Sequence, residues 1–600
     1  MNRLVKLLES PRAPLVILLL ALLLTASSLW VGYFADDYQH HALLSPDMPF
    51  PKSHDGSLFG LFSFIDGDPA RNLLLRDYSL LAWWSYDGFK FVFWRPVTEI
   101  THWIDHRLWH HHPVFMHVQN LLWYAALCWL VSRLFRRQSS TPLAAGAALL
   151  AFALDSSHGF GVGWISSRNA IVAATFGMIS LLTYMQWHDS FVRSASGQGA
   201  TGKPGRQRKF HVISLITLAL SLLSAEAGIS TAAYLGAFAL VLDKRGALKG
   251  VMGLIPHMLV TLAWWATYKH LGFGATNADA YYIDPAHSPL LFIAKLIERL
   301  PVMLASQFGL IPAEVYGFAG KPVPVYVTLC ALYVAFVLYL MRNTLRQHAT
   351  SRFWLLGSLF ALLPVATALP ADRNLLFVSV GGAILVGELF QEWIKRPAVI
   401  NIKQRLSSVV IAAFLSIHMI ISPLLLPVMA YSPRIWTQHM QLEATRLPAI
   451  DDLEHKTLLL AGAPLPAALG MVVTRYAEEL PLPARVWTLS TEQLPKTNTL
   501  TITRSSESDV TVAADGGFVN GTETALRNPE RNPFHVGEKV QFSGMTLEIS
   551  QLDAQGKPLS IVLHFVQPPT NDTLILQWRK DHYEVLPLPA AVGDTQTLQW

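Results

Sequence analysis

The sequence predicts a polytopic α-helical membrane protein with an α/β and β-sandwich-like domain at its C-terminal end. The 600 residues are 52% hydrophobic and only 14% charged, whereas soluble proteins carry about 25% charged residues. Residues 1–429 hold 33 Lys+Arg against 22 Asp+Glu, while residues 430–600 hold 13 against 19. We therefore expect a basic transmembrane domain, 1–429, and an acidic soluble domain, 430–600.

The overall charge and the cysteines exclude several classes of protein. Because 46 basic residues nearly balance 41 acidic ones, no basic stripe for nucleic acid is indicated. Cys128 and Cys330 both lie inside apolar runs. This placement argues against a disulfide framework and against a zinc site built from cysteines.

The apolar runs predict about eleven membrane spans. The first, residues 13–34, follows a basic start, and since no Ala-x-Ala cleavage site follows it, we expect a retained helix. Further runs of roughly 17–22 residues are long enough to cross a bilayer. They centre near residues 124, 150, 178, 218, 234, 260, 332, 361, 382 and 417.

The basic residues between spans predict the orientation. With the N-terminus in the cytoplasm, every inside connection is basic, which follows the positive-inside rule. These connections are residues 133–137, 193–209, 244–249, 342–352 and 395–405. An odd number of spans then places residues 430–600 outside. Together with the absence of an outside disulfide framework, this favours the inner (plasma) membrane of a bacterium, with a periplasmic C-terminal domain.

Two long outside loops, residues 35–113 and 270–323, are rich in Trp, Tyr and Phe and are not expected to be disordered linkers. In the tail, residues 457–460, 466–480 and 485–489 read as strand, helix and strand. Alternating runs then predict further strands. These runs are residues 499–503, 510–513, 545–549, 560–565 and 573–578.

Two adjacent carboxylates, Asp36 and Asp37, follow the first apolar run directly. A charge near the hydrocarbon edge is costly, and such residues tend to be functional when they face a cavity. The alternative is that both are solvated boundary residues.

The segment 94–108 is predicted to form an amphipathic helix lying on the outer leaflet. At about 100° per residue, one face carries Arg95, Glu99, His102 and His106. That face either lines a site or faces water. His102 and His106 also have the i, i+4 spacing of a metal pair, although one such pair without further ligands is a weak signal.

Ionisable residues recur at the predicted outer ends of the helices. Any single one could be a snorkelling boundary residue, but together they place carboxylates and cations at one membrane depth. A cavity there would suit a lipid-linked phosphate, which Arg grips through its planar fork. The residues are Asp155, Arg168, Glu226, Lys269, Asp372 and Arg373.

These features resemble the GT-C superfamily of glycosyltransferases that use polyprenyl-phosphate sugars. Five segments look like motifs of the transmembrane and tetratricopeptide-repeat O-mannosyltransferases: residues 94–98 and 117–122 resemble "YRPLT…HLVNxLLH", 167–170 "GRADLLA", 225–229 "KEQGIT" and 372–377 "ERYLYLP". The matches occur in the same order and cover about residues 14–427. The chain departs from the pattern because it has no repeats, Ser167 replaces Gly and Ala225 replaces Lys.

The resemblance implies a hexosyl or pentosyl transferase that moves a sugar from a polyprenyl phosphate to a hydroxyl on a protein, glycan or lipid at the outer face, with inversion. It implies Asp36 or Asp37 as the base and Arg168, Arg373 and Lys269 as phosphate ligands. The remaining candidates for the pocket are Arg95, Glu99, His102, His117, Glu226 and Asp155. No cofactor is required, and a divalent metal is allowed. The expected partners are the lipid-linked donor, membrane lipids and the acceptor.

Two other classes of protein are kept open. A transporter or flippase of a lipid-linked glycan would carry polar residues along its helices near mid-bilayer, whereas here they gather at the outer ends. A non-catalytic scaffold of an envelope glycan assembly complex would depend on the tail, and its function would survive loss of Asp36 and Asp37.

Overall fold

The computed structural model describes residues 2–46, 48, 59–195, 204–318, 320, 323–396, 401–491, 499–580 and 582–599. Parts of two basic connections, residues 196–203 and 397–400, lie outside the described residues. The chain folds into two compact units. The first comprises Met1–Tyr33, Phe93–Phe273 and Tyr282–Arg434, and the second comprises Phe34–Val92, Gly274–Tyr281 and Ile435–Trp600.

Helices occur in both units of the described residues; α3, α4, α23 and nearly all of α22 belong to the second. In chain order they are α1 Asn2–Glu9, α2 Ala13–Thr25, α3 Asp36–Leu44, α4 Pro69–Asp77, α5 Pro96–Trp109, α6 Pro113–Gln138, α7 Pro142–Ala153, α8 Gly159–Val162, α9 Arg168–Ala195, α10 Pro204–Leu222, α11 Ile229–Val241, α12 Ala247–Gly253, α13 Ile255–His270, α14 Pro289–Gln307, α15 Val315–Phe318, α16 Val323–Leu340, α17 Arg342–Gln347, α18 Ala349–Val365, α19 Leu376–Ile394, α20 Ile402–Ser416, α21 Ser422–Tyr431, α22 Pro433–Thr445 and α23 Leu465–Ala477.

Seven helical segments in the described part of the chain are long and apolar enough to cross a membrane, and the bent pair α12 and α13 would be an eighth. The predicted count of about eleven is therefore not confirmed. Helices lie at the other predicted positions, but Glu226–Val241 and Ala349–Val365 are apolar helices of fewer than 18 residues. A straight span needs about 20 residues. The seven are Ala13–Trp30, Pro113–Gln138, Pro142–Val162, Ile165–Val192, Val323–Leu340, Asp372–Ile394 and Ile402–Leu442.

The centre of the first unit is α19, which is buried along most of its length. Small residues let its neighbours approach closely, as is common where membrane helices pack. A Cβ on Gly387 would lie 2.4 Å from the carbonyl oxygen of Ala144 in α7. A Cβ on Gly381 would lie 2.5 Å from that of Trp354 in α18. The prediction of a mostly helical front built from several apolar helices is confirmed.

The strands lie in the second unit and form three sheets. They are β1 Ser63–Ile65, β2 Lys90–Val92, β3 Gly274–Thr276, β4 Thr457–Ala461, β5 Arg485–Thr488, β6 Thr499–Arg504, β7 Asp509–Ala514, β8 Lys539–Phe542, β9 Met545–Leu552, β10 Pro558–Phe565, β11 Thr573–Arg579, β12 His582–Pro587 and β13 Thr595–Gln599.

The two larger sheets have different topologies. One is antiparallel with the order β13-β6-β7-β10-β9-β8, and the other is mixed with the order β12-β11-β4-β5. Parallel strands β4 and β5 are joined through α23, as a parallel pair requires a crossover connection. Trp487 of β5 contacts Phe542 and Phe565 of the antiparallel sheet, with ring centroids 5.5 and 6.3 Å apart. The predicted C-terminal sheet domain is thus confirmed.

Residues 34–92 of the first long loop pack with the C-terminal residues inside the second unit. Asp77 at the end of α4 accepts hydrogen bonds from Trp487 Nε1 at 3.0 Å and from the Ser543 N–H at 3.1 Å. Trp83 Nε1 donates to the carbonyl of Leu489 at 3.1 Å. These buried bonds hold the polypeptide that carries α3, at whose start the two adjacent carboxylates lie.

Candidate functional site

A strained turn introduces the two adjacent aspartates. The Asp37 N–H donates to the carbonyl of Phe34 at 3.0 Å and so closes a four-residue turn. Ala35, the second residue of this turn, has φ 47° and ψ −114°. These angles are those of the first central position of a type II′ turn, where glycine is usual. The Phe34 N–H donates in return to Asp37 Oδ2 at 3.0 Å. The turn therefore closes on the Asp37 carboxylate.

The two carboxylates have different surroundings. Asp37 is buried, with 3% of its surface exposed. Asp36 is partly exposed and lines a cavity of about 740 Å³ within the second unit. A carboxylate that is accessible in a cavity can meet a ligand, whereas a buried one that closes a turn mainly fixes the backbone around it.

Most of the cavity wall is apolar, and its charged groups come from separate segments of the second unit. Besides Asp36 the polar lining side chains are those of Gln39, His439, Arg446 and Lys580. The other lining residues are Phe34, Ala35, Leu80, Trp436, Met440, Leu442, Pro464, Leu469, Gly470, Val473 and Trp578. The volume falls within the usual range of ligand pockets, about 300–1,000 Å³. No local sequence pattern indicates this cavity, because five distant segments build it.

Arg168, a predicted phosphate ligand, lies instead in a closed cluster of the first unit. Its side chain is fully buried and pairs with Asp105 at 2.5 Å. The guanidinium also donates four hydrogen bonds, to Asn120 Oδ1, Thr101 Oγ1, Gln119 Oε1 and the carbonyl of Met116. These five contacts match the five N–H donors of an arginine. The geometry therefore gives Arg168 a structural role in this structure.

The Arg168 cluster fixes the amphipathic helix α5. Glu99, His102 and His106 of its polar face are buried, while Ile100, Ile104 and Leu108 of the opposite face are exposed. The polar face therefore packs inside the protein and does not face water. The exposed apolar face suits a membrane surface. Burial outweighs the pairing with Arg168 and raises the pKa of Asp105 to about 6.

The helix α14 repeats this arrangement and was not predicted. Leu290, Ile293 and Ile297 expose an apolar stripe, while the buried Arg299 donates from Nη1 to the carbonyls of Ala366, Thr367 and Ala368. Arg299 thus satisfies carbonyls at the C-terminal end of α18. It holds the segment that leads to Asp372.

Four other candidates make contacts inside the first unit. Arg95 pairs with Glu226 at 2.8 Å, both largely buried, and lies over the ring of Phe93. His117 is fully buried, with Nε2 2.9 Å from the carbonyl oxygen of Gly32. Asp155 accepts the Ser157 N–H at 3.0 Å. His117 and Asp155 thus contact backbone groups, whereas Arg95 and Glu226 bind each other through their side chains.

The two remaining predicted cations are more accessible than Arg168. Arg373 is exposed, and its guanidinium lies 4.8 Å from the ring centroid of Trp164. Asp372 beside it is buried and accepts the Ala313 N–H at 2.8 Å. Lys269 pairs with Asp284 at 2.6 Å, with 35% of its side chain exposed. Arg373 is therefore the predicted phosphate ligand with the most accessible guanidinium.

The predicted metal pair, His102 and His106, is joined by no third ligand atom of His, Cys, Asp or Glu among the described residues. The rings of His106 and His110 lie 3.9 Å apart. Burial, reinforced by the neighbouring His110, His111 and Arg107, lowers the pKa of His106 to about 3. The ring of His106 is therefore neutral at physiological pH.

No protein-family profile matches the chain, and no curated protein is similar to it in sequence. Among solved structures, it is similar to the Archaeoglobus fulgidus oligosaccharyltransferase tethered to an acceptor peptide containing the NVT sequon, with 13% identity, a TM-score of 0.42 and coverage of 80% of this chain. It is also similar to ArnT from Cupriavidus metallidurans bound to undecaprenyl phosphate, with 12% identity, a TM-score of 0.40 and coverage of 79% of this chain and 86% of that one. The chain spans only 64% of the length of the archaeal enzyme.

Proposed function

We propose that the protein is a GT-C-type glycosyltransferase of the inner membrane that moves a sugar from a polyprenyl phosphate to an acceptor hydroxyl at the outer face, with inversion. The observation that carries the proposal is the Asp36 carboxylate, which is accessible in a cavity and lies in the strained turn that begins at Phe34. The ordered sequence motifs, which resemble those of O-mannosyltransferases, support sugar transfer from a lipid-linked phosphate.

Asp36 is our candidate for the general base. In the transfer step the acceptor oxygen forms a bond to the anomeric carbon, and the bond from that carbon to the phosphate oxygen breaks. The electron pair of the broken bond leaves on the phosphate, and the hydroxyl proton passes to the Asp36 carboxylate. Asp37 acts through the backbone, since it is buried and accepts the Phe34 N–H. It is therefore a positioning residue.

On the donor side, Arg373 replaces Arg168 as our first candidate for the phosphate. All the donors of Arg168 have acceptors inside the first unit, whereas the guanidinium of Arg373 is exposed on a tryptophan ring. Lys269, half-exposed beside Asp284, is the second candidate. Because phosphate held by cations is already a good leaving group, the proposal allows a divalent metal but does not require one.

Mass spectrometry of glycolipids and glycoproteins tests the proposal. Cells that lack the gene would be complemented with the wild-type protein, Asp36→Asn, Asp37→Asn or the control Glu507→Gln, which changes an exposed carboxylate on the second unit. We expect the wild type to add one sugar to a cellular product, and Asp36→Asn to lose at least about 100-fold of this transfer. Asp37→Asn should retain more, since an amide oxygen still accepts the Phe34 N–H. Full transfer by Asp36→Asn, or no sugar difference between cells with and without the gene, would overturn the proposal.

A further inference from the structure

The lining of the cavity in the second unit indicates what kind of acceptor it binds. We propose that the acceptor is an anionic amphiphile, in which a phosphate or carboxylate and an acceptor hydroxyl are joined to an apolar lipid body. This inference rests on the proposed function, because it takes Asp36 as the base within the same cavity.

The basic residues of the cavity contrast with the charge of the domain around it. Residues 430–600 carry 19 acidic and 13 basic residues, yet the lining includes Arg446, Lys580 and His439 against one carboxylate, Asp36. Arg446 and Lys580 are exposed, and their cationic groups can form charge-assisted hydrogen bonds with an entering anion. The charge of the lining thus complements a ligand with at least one negative group.

The rest of the wall favours a lipid body over an oligosaccharide. Saccharide hydroxyls need many neutral donors and acceptors, but Gln39 is the one amide side chain among the lining residues. The wall is formed mainly by Leu, Met, Val, Pro and aromatic side chains. Trp436 and Leu442 remain 60% and 45% exposed, and an apolar ligand would cover surface of this kind.

Backbone strain coincides with this cavity at two points. In the described part of the chain six residues other than glycine have positive φ, and two of them, Ala35 and Lys580, line it. Lys580 has φ 53° at the end of β11. A non-glycine residue in the left-handed region costs roughly 1–2 kcal/mol, and such strain clusters at ligand-binding sites.

Site-resolved photolabelling tests the inference on the full chain in phosphatidylcholine nanodiscs. The two probes are dodecyl phosphate and dodecyl maltoside, each carrying a diazirine on the alkyl chain, and labelled peptides are quantified by mass spectrometry. We expect the phosphate probe to label residues 436–446 and 464–473 about tenfold more than the maltoside probe does. A single charge-assisted contact of about 1.4 kcal/mol corresponds to that factor. Both probes should label the membrane helices equally.

The variants remove the charge without disturbing the fold. Lys580→Gly suits the backbone at φ 53° and so should fold, and with Arg446→Ala it should abolish the preference for phosphate. The control Lys539→Ala, at a 59% exposed lysine of β8, should not change the preference. Equal labelling by both probes, no labelling of these segments, or a preference that survives the double variant would overturn the inference.

One further variant separates this inference from the proposed function. Asp36→Asn should keep the preference for the phosphate probe while it loses transfer. If Asp36→Asn transfers sugar fully and the preference remains, the proposed function is wrong and the ligand class stands. If Asp36→Asn loses transfer but the wild type shows no preference for the phosphate probe, the ligand class is wrong and the proposed function stands.

Discussion

The Arg168 cluster of the first unit and the Asp36 cavity of the second unit use the same residue types in opposite ways. The side chains of Arg168 and Asp105 are 0% and 1% exposed, and every guanidinium donor has an acceptor. Around the cavity, Asp36 is partly exposed, and Arg446 and Lys580 are exposed. A buried charge must be satisfied by the protein itself, whereas an accessible charge can exchange water for a ligand. Accessibility to a ligand, more than the charge itself, distinguishes a binding residue from a structural one.

The largest effect is expected from a substitution that breaks the closed Arg168 cluster. Arg168→Met leaves the Asp105 carboxylate buried without its partner, and removing one member of a buried pair typically costs about 3–5 kcal/mol. Thermal unfolding in detergent should show a large fall in midpoint. The double variant Arg168→Met with Asp105→Leu should recover much of it, because no lone charge remains. An unchanged midpoint in Arg168→Met would contradict the structural role.

The next largest effect is expected from a substitution that moves the accessible carboxylate of Asp36. Asp36→Glu keeps the charge but lengthens the side chain by one methylene, and a misplacement of about 1 Å can cost about 100-fold in rate. We expect transfer to fall by that order with an unchanged thermal midpoint. Equal transfer by Asp36→Glu and wild type would show that the position of this carboxylate is not critical.

The pH dependence of stability provides a second test of the closed cluster. Burial raises the pKa of Asp105 to about 6, above the value of about 3.9 for an unfolded chain. Between these values the folded state binds more protons than the unfolded state, so the contribution of Asp105 is most favourable at low pH and is lost as the pH rises through about 6. Thermal midpoints from pH 4.5 to 7 should therefore show a decreasing component in the wild type that Asp105→Asn lacks. Identical pH profiles would contradict the prediction.

The smallest effect is expected from changes to the turn that contains Asp36, residues 34–37. Ala35→Gly relieves the strain of φ 47° but increases the entropy of the unfolded chain, so the two terms nearly cancel and stability should change by less than about 1 kcal/mol. Ala35→Val should be clearly destabilising, because a β-branched side chain tolerates this backbone poorly. Equal stability of the two variants would show that the turn is not strained.

Helices and strands could be predicted from the sequence wherever a local pattern of apolar residues indicated them. The alternation in residues 499–503 and 560–565 corresponds to β6 and β10, and the strand, helix and strand at residues 457–489 correspond to β4, α23 and β5. The span count could not be derived in this way, because apolar composition does not separate a crossing helix from a shorter one. Glu226–Val241 shows this difficulty.

The site was only partly predictable for a related reason. Asp36 could be singled out because it is a charge beside an apolar run. Arg446, Trp436 and Lys580 have no such local context and are brought to the cavity by tertiary structure alone. The closed state of Arg168 depends on Gln119 and Asn120, whose uncharged side chains indicate no partner in the sequence.

The packing of residues 34–92 against the end of the chain has a consequence for biogenesis. Trp83 and Leu489, joined by a buried hydrogen bond, are 406 residues apart in sequence. During synthesis, residues 34–92 can make these contacts only after most of the polypeptide has been translated. Such distant contacts form slowly because a long loop must close first. A chain truncated before residue 435 should therefore leave the buried surfaces of residues 34–92 uncovered, which would make it a natural target for membrane quality-control proteases.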